Sequence, residues 1–152
     1  MRHFLIFLSS LFTFLGLYAQ DSSETEIHTP AETKRYSFQL EMKQAFMSGI
    51  LLTNYIDGTI NGSLVNEFGI SALSFTYQPA KNKIKLLDVV GFLNKWYIKA
   101  VLKNDIKQCV NIIYNLPSKP DKNYEITQSG PETSIYNKKR KIRYTFFPLQ
   151  NT

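Results

Sequence analysis

In Ser37-Phe38-Gln39-Leu40-Glu41-Met42-Lys43, apolar and polar residues alternate without exception. Successive side chains of a strand point to opposite faces, so this segment reads as a half-buried strand. Phe38, Leu40 and Met42 form its apolar face, and the residues between them face water. Such a strand requires a sheet with one covered face. Strand-like runs follow at 46–56, 59–67, 70–77 and 83–90, then at 124–127, 133–136 and 141–147. The connections carry turn chemistry. Asp57-Gly58 fits a type I′ hairpin, whose two central residues both need positive φ. Asn61-Gly62 competes with it but would leave the return strand short. Asn66-Glu67-Phe68-Gly69, Ser129-Gly130-Pro131 and Asn137-Lys138-Lys139 mark further turns. Short strands with short connections predict an antiparallel meander. Leu73, Phe75 and Tyr77 form one face of another strand.

Between 94 and 115 the period changes to that of a helix. One apolar stripe runs through Leu93, Trp96, Tyr97, Ala100 and Val101. A second runs through Ile98, Leu102, Ile106, Cys109 and Ile113. The stripes do not align, which predicts a break near Asn104-Asp105, with Asp105 opening a second helix. Asn94 is the expected N-cap, and Leu93 is placed to staple onto Ile98. The fold class is therefore α+β, mostly β. Its 14% aromatic content, with 11 Phe and 9 Tyr, suits half-buried strands.

The N-terminus reads differently. Met1-Arg2-His3 is a short positive segment, 4–17 is apolar, and Ala19 supplies a small residue before Gln20. This is the pattern of a secretory signal peptide over 1–19. It is shorter than the roughly 20 apolar residues that cross a bilayer, so no transmembrane span is expected. No cysteine stands at the cleavage point, so no lipid anchor is expected either. Residues 20–34 are polar and acidic and read as a flexible lead. Residues 35–152 are then a single β-rich domain, exported to the periplasm or secreted. The single cysteine, Cys109, cannot form an internal disulfide, so packing must hold the domain. Its apolar neighbours point to an inert buried thiol.

The chemistry-bearing residues are sparse. His28 is the one histidine beyond the leader, and it falls in the acidic lead, so no nucleophilic triad assembles. No metal-ligand spacing and no phosphate-cradling glycine loop is present, so no metal or cofactor is expected. Glu41, Glu67 and Asp88 lie on different strands with no motif joining them. A non-catalytic protein is expected. The formal charge is +6, which favours anionic partners or simple solubility. Lys95, Lys99, Lys103 and Lys107 recur every fourth residue along one helical face. Lys138, Lys139, Arg140, Lys141 and Arg143 cluster at a turn and strand start. Both groups fit an anionic lipid or acidic partner. They fit equally the solvated back of a helix and a guarded edge strand. Nucleic acid is not expected of an exported chain.

The order of elements, a meander, a helical insert and closing strands, resembles the LolA/LolB-like half-barrel of bacterial envelope proteins. Over about 36–113 the chain is similar to small exported proteins and lipoproteins of that kind. The likeness rests on Ser48-Gly49-Ile50-Leu51-Leu52, Asp57-Gly58, Asn66-Glu67-Phe68-Gly69, and Leu93-Asn94-Lys95 with Ile98, Leu102 and Asp105. It implies a curved antiparallel sheet wrapping the helical insert around an apolar cavity, and a carrier of lipid or lipoprotein acyl chains. The candidate cavity residues are Phe38, Leu40, Met42, Leu73, Phe75, Tyr77, Trp96 and Tyr97. The same residues would serve as solid core. The alternative is a module with a filled core that docks an envelope protein through its basic surface. If export removes the leader, N-terminal sequencing of the exported protein begins near Gln20. An intact Met1 on the exported protein would refute this.

Overall fold

The computed structural model describes residues 33–43, 45–118 and 121–150. The expected signal peptide and nearly all of the acidic lead lie outside these residues. Eight strands form one antiparallel sheet: β1 (Lys34–Met42), β2 (Ala45–Ile56), β3 (Thr59–Val65), β4 (Ser71–Gln78), β5 (Lys83–Val89), β6 (Tyr124–Ser129), β7 (Glu132–Asn137) and β8 (Ile142–Pro148). Their order is β5-β4-β3-β2-β1-β8-β7-β6, so the sheet is curved and unclosed. One helix, α1 (Trp96–Ile113), lies between β5 and β6 in sequence. The five-strand meander and the three closing strands are joined where β8 pairs with β1.

The alternation in β1 sets the whole register. Phe38 stands opposite Phe146 on one side and Gly49 on the other, and Leu40 stands between Tyr144 and Met47. Carried across the sheet, this phase puts Leu51, Ile60, Leu64, Leu73, Phe75, Tyr77 and Ile135 on the covered face. All of them are buried, together with Leu102, Ile106, Cys109 and Val110 of the helix. A one-residue slip anywhere would turn that strand's apolar set to solvent.

The curvature has local causes. The β3–β4 register shifts between Leu64 and Val65, and the β4–β5 register between Ser74 and Phe75. Bulges of this kind bend a strand and increase its twist. Gly49 sits against the first bulge, where a Cβ would fall 2.2 Å from the Val65 carbonyl oxygen. Between β2 and β3, Asp57 (φ 48°) and Gly58 (φ 72°) both take positive φ, as the Asp-Gly pair predicts. Asn61-Gly62 lies inside β3. The β3–β4 turn is held by the Asn66 side chain, whose Oδ1 accepts from the amides of Phe68 (3.0 Å) and Ile70 (2.9 Å).

The helix departs from expectation in three ways. It is continuous, with no break at Asn104-Asp105. Within the helix the second stripe is the core face: Leu102, Ile106 and Cys109 are buried, whereas Trp96, Tyr97 and Ala100 are exposed; Leu93 of the first stripe is buried, but in the 3-10 turn before the helix. The misaligned stripes are thus one buried face and one surface strip on a single helix. Asn94 is not the cap. It closes a 3-10 turn at Gly91–Leu93, and Lys95 caps the helix through its carbonyl alone, without a side-chain bond. Among the described residues no helix is long and apolar enough to cross a membrane.

Replacing Gly49 by Ala forces Cβ into the Val65 backbone, which has no flexible end to yield. The expected loss is about 1–3 kcal/mol in urea denaturation. An unchanged midpoint would refute the close approach.

Candidate functional site

Strand register divides the half-barrel into two rims. The β1–β2, β3–β4 and β7–β8 turns share one rim with the start of the helix, and the β2–β3, β4–β5 and β6–β7 turns share the other. At the helix-entry rim the sheet and helix do not close on one another. An apolar groove of about 590 Å³ remains between Met42, Ala45 and Ile142 on the strands and Leu93, Ile98 and Val101 on the helical side. Tyr97 and Arg140 stand at its lip, and both also line a polar cleft of about 500 Å³ on the adjoining flank of the helix. That cleft carries Lys107, Lys139, Asp121, Asn104, Asn123 and Tyr124, with Asp105 at its base. Apolar and basic compartments are therefore continuous around the first turns of the helix.

Asp105 fixes this geometry. It is fully buried. Its Oδ1 accepts from the Tyr124 hydroxyl at 2.5 Å and from Asn137 Nδ2 at 2.8 Å, and its Oδ2 from the Tyr144 hydroxyl at 2.6 Å. The donors come from β6, β7 and β8, so one side chain ties the middle of the helix to all three closing strands. Burial pushes the Tyr124 and Tyr144 hydroxyls above their usual range, and the neighbouring Asp105 carboxylate pushes them further. Burial, and then the same carboxylate, raises the Cys109 thiol, which keeps it protonated and unreactive. The sequence marks Asp105 only as a polar residue interrupting an apolar stripe. Its three donors are 19 to 39 residues away in the chain.

The predicted cavity is not where the alternation suggested. Phe38, Leu40, Leu73, Phe75 and Tyr77 lie in the packed core, 0–3% exposed. Trp96 and Tyr97 are at the surface, 81% and 50% exposed, with their rings perpendicular at 5.8 Å. Of the eight, Met42 and Tyr97 line the groove. The reason is that the helix fills the hollow of the sheet with its own apolar stripe. Between helix and sheet, among the described residues, an apolar groove survives where the helix begins.

The basic groups also divide. Lys95 precedes the helix, while Lys99, Lys103 and Lys107 follow one another along it. Lys107 lines polar clefts on both of its flanks. Lys138, Lys139, Arg140 and Lys141 are exposed at the β7–β8 turn. Arg143 belongs to the other face of the sheet. Its side chain lies 4.0 Å from Glu41, stacks 5.1 Å from the Tyr136 ring and donates to Ser134 Oγ at 3.2 Å. It is an outer-face strand residue rather than part of the cleft. Among the described residues no group of three or more His, Cys, Asp or Glu could hold a metal ion. The chain matches no protein-family model and no curated protein.

Asp105→Ala leaves the Asn137 amide and the Tyr144 hydroxyl buried without an acceptor, and about 2–4 kcal/mol of stability should be lost in denaturant titration. The pH dependence follows from the same contacts. The folded protein holds the two tyrosine protons more tightly than the unfolded chain, so the stability they lend is complete below about pH 10. It drains away as pH rises beyond that. Tyr124→Phe/Tyr144→Phe should flatten this alkaline limb. An unchanged limb would refute the assignment.

Proposed function

We propose that the protein is an exported, non-catalytic binder of an apolar chain, the acyl chain of a lipid or lipoprotein, in the manner of LolA/LolB-like carriers. The observation that carries this reading is the groove at the start of the helix. Its volume falls within the roughly 300–1,000 Å³ range of small-molecule sites, and its walls are mostly apolar. Arg140 at the lip, with Lys139 and Lys107 beyond it, would meet an anionic group at the end of the chain. The unclosed sheet supports the reading as well, since sheet and helix part at the rim where the helix enters.

A second reading is favoured by the filled core. With Phe38, Leu40, Leu73, Phe75 and Tyr77 fully packed, the hollow of the sheet holds no ligand. The protein would then be a docking module for an envelope partner, acting through its basic surface.

Native mass spectrometry separates the two readings. Protein purified without detergent from its own compartment should carry a bound mass that releases as an acyl chain or lipid. Val101→Trp, which fills the groove from the partly exposed side of the helix, should weaken binding of a fluorescent fatty acid by at least about tenfold. It should leave the thermal midpoint nearly unchanged. A clean apoprotein mass with no fatty-acid binding would transfer the proposal to the docking module.

A further inference from the structure

We propose that the helix-entry rim is a docking surface for an anionic lipid bilayer. The rim gathers large apolar side chains that nothing in the fold covers. Phe68 is 78% and Ile70 58% exposed on the β3–β4 turn, and Trp96 and Tyr97, also exposed, begin the helix at the same rim. Val90 donates to the Ala72 carbonyl at 2.9 Å, which ties the approach to the helix to the strand leaving that turn. Exposed apolar groups scattered singly are ordinary. A Trp, a Tyr, a Phe and an Ile brought to one end of the molecule from two separate chain segments are not. Trp and Tyr in particular favour the headgroup level of a bilayer, where an apolar ring and a polar edge are both satisfied.

The charge on this rim selects the partner. Lys43, Lys95, Lys122, Lys138, Lys139, Arg140 and Lys141 are all exposed there, against the acids Glu67, Asp88 and Asp121. On the opposite rim Asp57 and Glu132 stand among Lys34, Arg35, Lys81 and Lys83, a smaller positive excess. A cationic excess on the same rim as protruding aromatic residues is complementary to an anionic lipid surface, where each cation adds attraction and the aromatic side chains add insertion. An acidic protein surface would use the cations alone, whereas the apolar side chains also need an apolar layer beneath the charged one, which a bilayer supplies. The groove opens at the same rim, between Met42, Ala45 and the start of the helix. Docking there would set its mouth against the bilayer, so a chain could pass between lipid and groove with little exposure to water. The docking inference rests on residues that are largely distinct from the groove walls and is tested apart from them.

Trp96 is the one tryptophan of the chain, so its fluorescence reports the rim directly. The protein used is the processed form beginning near Gln20, which contains every described residue and omits the apolar leader. On mixing with vesicles of equal parts phosphatidylglycerol and phosphatidylcholine, its emission should shift to the blue. Vesicles of phosphatidylcholine alone should give little shift, and salt at about 0.5 M should reverse it, since charges are then screened within a few ångström. In vesicle co-sedimentation, Phe68→Ser/Trp96→Ser and Lys138→Glu/Lys139→Glu/Arg140→Glu should each reduce partitioning by at least about tenfold. The Phe68→Ser/Trp96→Ser variant should still bind fatty acid in solution, whereas Val101→Trp should still bind vesicles. Failure of the groove and failure of the rim are thus distinguishable. Absence of a shift with anionic vesicles would overturn the proposal. So would an equal, salt-insensitive shift on both vesicle types.

Discussion

A carboxylate placed at the centre of a protein is costly unless its oxygens are bonded, and Asp105 meets that condition with three donors drawn from three consecutive strands. The strands β6, β7 and β8 reach the rest of the sheet through one seam, the β1–β8 pairing. Asp105 supplies a second tie, from those strands to the helix. The helix in turn presses Leu102, Ile106, Cys109 and Val110 onto the shared core. Unlike hydrophobic contact, this tie is directional. It fixes the rotation and height of the helix, and with them the position of Tyr97, Val101 and Lys107 relative to Arg140. The groove and the basic cleft are consequences of that placement.

The sheet is built to curve around the helix and to stop before closing. Two bulges and the bare backbone at Gly49 bend the meander. Gly62 has a different task, since a Cβ there would fall 2.2 Å from the Phe75 ring, so its absence is what admits that aromatic to the core. The edge strand β5 carries Lys83, Lys85 and a bulge, which discourage further strand pairing. The hollow that results is filled by the helix rather than left for a ligand. Among the described residues the apolar groove lies where the helix enters at the rim. The carrier proposed above would hold its cargo at the mouth rather than in the hollow.

Much of this was legible in the chain. The alternation through Phe38, Leu40 and Met42, the Asp57-Gly58 turn and the Asn66 turn locate every strand to within a few residues, because strand phase and turn geometry are local properties. The helix was legible as a helix, but its orientation was not. Two apolar stripes on one helix look alike in sequence. Only contact with the sheet decides that the one carrying Leu102 and Ile106 is core and the one carrying Trp96 and Tyr97 is surface. Arg143 was likewise grouped with its neighbours in sequence, although the alternation of β8 turns it to the outer face beside Glu41.

The sequence by itself determined the antiparallel strands, their phase, the helical insert and an inert cysteine, since each depends on residues within a turn or two of one another. Tertiary structure alone decided the strand order that places β8 against β1, the Asp105 hub, the filled hollow and the gathering of Phe68, Ile70, Trp96 and Lys138–Lys141 at one rim. Those features depend on which distant segments meet. That is set by closing the sheet's exposed apolar face over a single helix, a condition no short stretch of the chain records.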